Sequence, residues 1–80
     1  MKAKVVVRLK PDVLDPQGAA VGRALDKLGF AGVRGVRIGK LIEIEIDDAH
    51  AGAPDLKQRL QKMADEMLAN PVIEDYEVFV

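Results

Sequence analysis

Between Val33 and Asp47 the chain alternates apolar and charged positions with a period of two. Ile42, Ile44 and Ile46 interleave with Glu43, Glu45 and Asp47, the pattern of a strand with one buried face. A shorter run precedes it, in which Val36 and Ile38 share a face with Arg34 while Gly35 and Arg37 take the other. Gly39-Lys40 separates the two runs, and glycine accepts the positive φ that a two-residue turn demands. The spacing therefore predicts a β-hairpin with Gly39-Lys40 at its tip.

The same reading extends to both sides. Lys2–Leu9 is an expected strand with Ala3, Val5, Val7 and Leu9 on its apolar face, and Pro11 ends it because proline cannot donate to a ladder. Asp15 is a good helix N-cap and Pro16 suits the first helical position. Val21, Ala24, Leu25 and Leu28 then recur at helical spacing as one stripe expected to pack on the sheet. Gly29 can close that helix in the left-handed conformation, with Phe30 folding back. Gly18 is a poor helix former in the first turn, which suggests close approach of another backbone there. Residues 48–53 read as a loop. Pro54-Asp55 opens a second helix whose stripe is Leu56, Leu60, Met63, Ala64 and Met67, all expected in the core. Asn70-Pro71 stops it, since a residue before proline is pushed out of the α region. The last strand, residues 72–80, carries Val72, Tyr76, Val78 and Val80 on one face and Ile73 and Phe79 on the other.

The predicted order is β-α-β-β-α-β. That is an α+β, ferredoxin-like plan: a four-stranded antiparallel sheet with two helices on one face. In the usual strand order 4-1-3-2, the first strand lies beside the Ile42–Ile46 strand. Lys2, Lys4 and Arg8 then meet Glu43 and Glu45 on the uncovered face.

Composition narrows what such a fold can do. Eighty residues make one expected domain, 1–80, small enough that association with another chain could matter to its stability. With no cysteine there is no disulfide, thiolate metal site or thiol nucleophile. The longest apolar run is far too short to span a bilayer, so a cytoplasmic protein without a membrane partner is expected. Twelve basic against thirteen acidic residues, with three aromatics in all, argue against nucleic acid as a partner.

Candidate chemistry is sparse. His50 is the single histidine, sits in an expected loop, and has no serine, threonine or cysteine to activate. A P-loop is missing, and Gly39-Lys40 falls within the expected hairpin. Glu43, Glu45 and Asp47 read as a solvated, salt-bridged strand face rather than a cation site. No catalytic, cofactor-binding or metal residue is assigned.

Several pieces do converge on a known family. Leu14-Asp15-Pro16-Gln17-Gly18 leads into a helix ending Leu28-Gly29-Phe30. Val36-Arg37-Ile38-Gly39-Lys40 leads into the Ile/Glu strand, and Leu68-Ala69-Asn70-Pro71-Val72-Ile73-Glu74-Asp75-Tyr76 precedes the end. Together, over essentially the whole chain, they resemble PurS, the small subunit of phosphoribosylformylglycinamidine (FGAM) synthase in purine biosynthesis. The resemblance implies a non-catalytic subunit of an ATP-dependent C–N ligase. It implies homodimers or higher oligomers that bridge a large synthetase subunit (PurL), which uses ATP and Mg²⁺, and a glutaminase subunit (PurQ). A role in closing the ammonia route between them is part of that implication, and no cofactor is expected in this chain itself. The motifs place partner-contact candidates at Asp15, Pro16, Gln17, Gly18, Arg37, Gly39, Lys40, Asn70, Pro71 and Glu74. The Val33–Ile38 strand is an expected edge for pairing between copies. Two competing readings share the fold: an effector-binding regulatory module with a ligand near the first loop, and, less well matched, an acylphosphatase-like enzyme.

Overall fold

The computed structural model describes all residues from Met1 to Val80. Strand β1, Lys2–Leu9, lies at the centre of a three-stranded antiparallel sheet between β2, Gly39–Glu45, and β3, Glu74–Phe79. In β1, Val5 faces Ile42 on one side and Val78 on the other, and Val7 faces Lys40 and Tyr76. Ala3, Val5 and Val7 are fully buried, as the alternation requires. The opposite face carries the charges. Lys2 reaches Glu43 at 3.0 Å, as expected, whereas Arg8 turns to the other neighbour and pairs with Glu77 at 2.9 Å.

One helical layer covers the buried face. Helix α3, Leu56–Met63, sets Leu56 and Leu60 against Ala3, and continues into one π-helical segment at Ala64–Leu68. The π-helical segment corrects the expected stripe. Leu56, Leu60 and Ala64 follow one another at intervals of four residues; beyond them Leu68 packs half-buried on the core, and the next fully buried residue is Ala69, five further on. The Ala69 N–H accordingly reaches back to the Ala64 carbonyl at 2.9 Å. That wider turn rotates Met67 outward, where it is 86% exposed, and leaves Met63 at the rim rather than in the core. Residues 48–53 are not simply a loop, since Asp48–Ala51 forms a one-turn helix, α2, capped by Asp47 through the Ala49 N–H at 3.1 Å.

Helix α1, Pro16–Lys27, forms from the expected signals. Asp15 caps it, Pro16 opens it, and Gly29 at φ +88° closes it, with the Gly29 and Phe30 N–H groups bonded to the Asp26 and Leu25 carbonyls. Its placement is the surprise. The helix makes almost no contact with the sheet or with α3, and Gly18 is its one buried residue. Val21 is exposed, Leu25 is half-buried, and Leu28 and Phe30 are 73% and 58% exposed.

The hairpin is also corrected. Gly39 and Lys40 sit within β2, paired with Arg8 and Val7, and Gly39 does not have the positive φ of a hairpin turn. It is a glycine because a Cβ there would stand 2.7 Å from the Val7 carbonyl oxygen. Residues 33–38 run straight into β2 instead of folding back on it, and they have no strand partner within the chain. The sheet therefore has three strands rather than four, in the order β2-β1-β3. Together α1 and residues 28–38 form an arm, giving the chain extents of 51 × 25 × 15 Å. Its radius of gyration is 16.3 Å, against about 12 Å for a compact domain of this length.

Candidate functional site

The arm joins the sheet through a small set of polar contacts, and the residues singled out by sequence meet there. Asp15 is buried at the junction. One carboxylate oxygen accepts the Gly18 N–H of α1 at 2.8 Å, and the other accepts the Ile38 N–H of the returning segment at 2.7 Å. Those two donors, Gly18 first and Ile38 second, hold the Asp15 carboxyl below its ordinary pKa against the opposing effect of burial. The nearby Arg37 guanidinium contributes in the same direction. Arg37 itself donates to the Lys10 and Val13 carbonyls at 2.9 and 3.0 Å, tying the returning segment to the loop that leaves β1.

Beside this joint lies a half-open cavity of about 370 Å³ lined on its apolar part by Val7, Leu9, Pro16 and Ile38. Arg8, Asp15, Gln17, Gly39, Lys40 and Glu74 complete its lining. Lys40 faces it from the buried side of the sheet, opposite Val7, and takes part in no ion pair. Glu74 is committed: its carboxylate accepts the Asn70 N–H at 2.7 Å. The Asn70 side chain in turn accepts the Val72 N–H at 3.1 Å, an Asx-turn that carries Pro71 and leaves Val72 78% exposed. The last strand consequently starts at Glu74, and Val72 belongs to the turn rather than to the core face.

Six of the ten candidates, Asp15, Pro16, Gln17, Gly39, Lys40 and Glu74, line one cavity. Gly18 and Arg37 are bonded into its joint, and Asn70 and Pro71 form the adjoining turn. Three separate stretches of chain thus come together at one end of the sheet. Gly22 did not stand out in the sequence. It lies one turn beyond Gly18, and its Cβ position is 3.8 Å from Val36, so the pair leaves a smooth track on α1 for residues 33–36. A glycine at i and i+4 in an otherwise good helix was the available signal.

The surface carries no cluster of catalytic or metal-ligating groups. Its hydrogen bonds are mostly internal, its free groups are Lys40 and Gln17, and apolar area lies exposed along the adjoining arm. His50, in α2, lies outside this cavity.

The likeness to known proteins covers this whole arrangement. The PurS family model, described as phosphoribosylformylglycinamidine (FGAM) synthase, matches residues 2–80. The chain belongs to the PurS family. The PurS subunit of Bacillus subtilis is 47% identical over 75 residues, covering 94% of this chain and 86% of that one. Its Methanocaldococcus jannaschii counterpart is 40% identical over 79 residues, covering 99% and 93%. Among solved structures, Bacillus subtilis PurS superposes with a TM-score of 0.83 at 45% identity, covering 98% and 94%. A chain of the Thermotoga maritima PurLQS structure superposes with a TM-score of 0.79 at 30% identity, covering 98% and 93%. As a PurS-family chain it is a subunit of FGAM synthase, a ligase of purine biosynthesis. The match favours this reading over an effector-binding module. No helix is long and apolar enough to cross a membrane.

Proposed function

We propose that this chain is the assembly subunit of FGAM synthase, joining the synthetase subunit PurL to the glutaminase subunit PurQ. The observation that carries the reading is the arm, a 12-residue helix whose apolar stripe its own chain leaves largely uncovered. A helix of that length is marginal alone, because nucleation is costly and its stability normally comes from a packed face. The full-length likeness to a chain of the Thermotoga maritima PurLQS structure supplies the context for what covers it. On this reading ATP and Mg²⁺ are used in the synthetase subunit and glutamine is hydrolysed in the glutaminase. This chain holds the two in register and helps to close the ammonia route between them.

A second copy of the chain is part of the same reading. Residues 33–38 form no helix or turn, lead directly into β2, and carry backbone groups that no strand of their own chain pairs with. The Ile42, Ile44 and Ile46 row beside them is only half-buried. An open edge of this kind favours pairing with an identical edge, which supplies across two chains the fourth strand that one chain lacks. The working unit is then a homodimer or higher homo-oligomer in the cytoplasm.

Reconstitution tests the assignment. Glutamine-dependent FGAM formation by purified PurL and PurQ is expected to be low without this chain and restored by adding it. Full coupling of glutaminase to synthetase in its absence would remove the assembly role.

A further inference from the structure

We propose that Asp15 and Arg37 are positioning residues for assembly, locking the arm at one angle to its own sheet so that it presents residues 33–38 to a second copy. The proposal rests on the pairing described above and deepens it. Apolar packing contributes little to that angle, because Gly18 is the single fully buried residue of α1 and the helix scarcely touches the sheet. Polar pins set it instead. The two oxygens of one buried carboxylate hold the outgoing and returning limbs of the arm, at Gly18 and Ile38. Arg37 fastens the returning limb to Lys10 and Val13, the loop on which the arm turns. Gly18 brings the limbs into backbone contact, since a Cβ there would lie 2.1 Å from the Val36 carbonyl oxygen. Positions spread from Lys10 to Ile38 are thereby fixed at one joint.

The arrangement suits its expected task. Strands pair only at a separation of about 4.8 Å, so a small rotation at the root of a long lever takes the far end out of register. An arm already held in its bound direction also loses less conformational entropy on association than a swinging one. Asp15 and Arg37 would then influence the synthase reaction through assembly, without touching substrate.

The test compares wild type with Asp15→Asn, Arg37→Met and Arg37→Lys. Asn keeps one acceptor and loses the second, Met removes both donations, and Lys retains a donor. Sedimentation over a concentration series reads self-association, and amide exchange at Val5 and Val7 reports on the sheet. Support would be unchanged sheet protection, a dissociation constant at least tenfold weaker for Asp15→Asn and Arg37→Met, and recovery towards wild type in Arg37→Lys. The half-saturating concentration of this chain in the reconstituted synthase should rise with the dissociation constant while the plateau rate holds. Variants that associate as tightly as wild type overturn the proposal alone, as does sheet protection that falls in step with association. A wild-type chain that stays monomeric at every concentration overturns the pairing itself, and this inference with it.

Discussion

The sheet body and the arm are built from similar residues and hold together in different ways. In the body, Val5, Val7 and Leu60 are sealed from solvent, and one strand neighbours two others across regular ladders. In the arm, Leu28, Phe30 and Val33 lie open, and shape depends on one carboxylate, one guanidinium and a glycine contact. An apolar stripe thus reports that a surface must be covered, without saying which molecule covers it. The body meets its need within the chain. The arm leaves its apolar side chains largely open.

The largest expected effect falls in the body. Leu60→Ala should destabilise the chain by about 2–5 kcal/mol, close to all that so small a domain possesses, and abolish the cooperative urea transition. A normal transition in that variant would mean the body is not the stable half. Next comes Gly18→Ala, where the added methyl meets the Val36 carbonyl oxygen. Overpacking of this kind costs about 1–3 kcal/mol, and the loss should appear as faster amide exchange in residues 16–38 with the β1 amides unchanged.

Acid probes the same joint. The folded carboxyl of Asp15 lies below its unfolded value, so its contribution is complete above the unfolded pKa of about 3.9 and fades as pH falls through the lower folded one. The protection factor of the Ile38 amide, followed by NMR with the base-catalysed intrinsic exchange rate divided out, should therefore be flat across neutral pH and fall only in acid. An Ile38 amide that loosens between pH 6 and 8 would contradict the assignment. Leu28→Ala sharpens the contrast further. At 73% exposure it should change single-chain stability by less than about 0.5 kcal/mol, yet weaken self-association measurably. The smallest effect belongs to the open face of the sheet. Lys2→Ala removes an ion pair whose partners are about half exposed, and should shift the urea midpoint by an amount equivalent to about 0.2–1 kcal/mol, fading with salt.

Much of this architecture could be read from particular residues. The alternation in Lys2–Leu9 and Leu41–Ile46 marked two strands and their buried faces, and Asp15-Pro16 and Gly29 marked both ends of α1. Close backbone approach at Gly18 was legible too, because a glycine in a first turn needs a reason. Gly39 misled, for a glycine between two apolar runs serves equally as a turn or as a point where strands crowd. Met67 misled because a π-helical segment changes the period on which the stripe was counted. The convergence of Asp15, Arg37, Lys40 and Glu74 was invisible as geometry, since residues 15, 37 and 74 become neighbours only when the limbs of the arm close at the joint.

The sequence alone determined the three paired strands, the two longer helices and the family resemblance, because periodicity, capping and motif order are properties of neighbouring residues along the chain. Only the tertiary structure decided that the sheet stops at three strands and that α1 stands away from it. The physical reason is that stripe and alternation specify a need for burial, whereas the direction of the arm follows from a few long-range hydrogen bonds that local pattern does not encode.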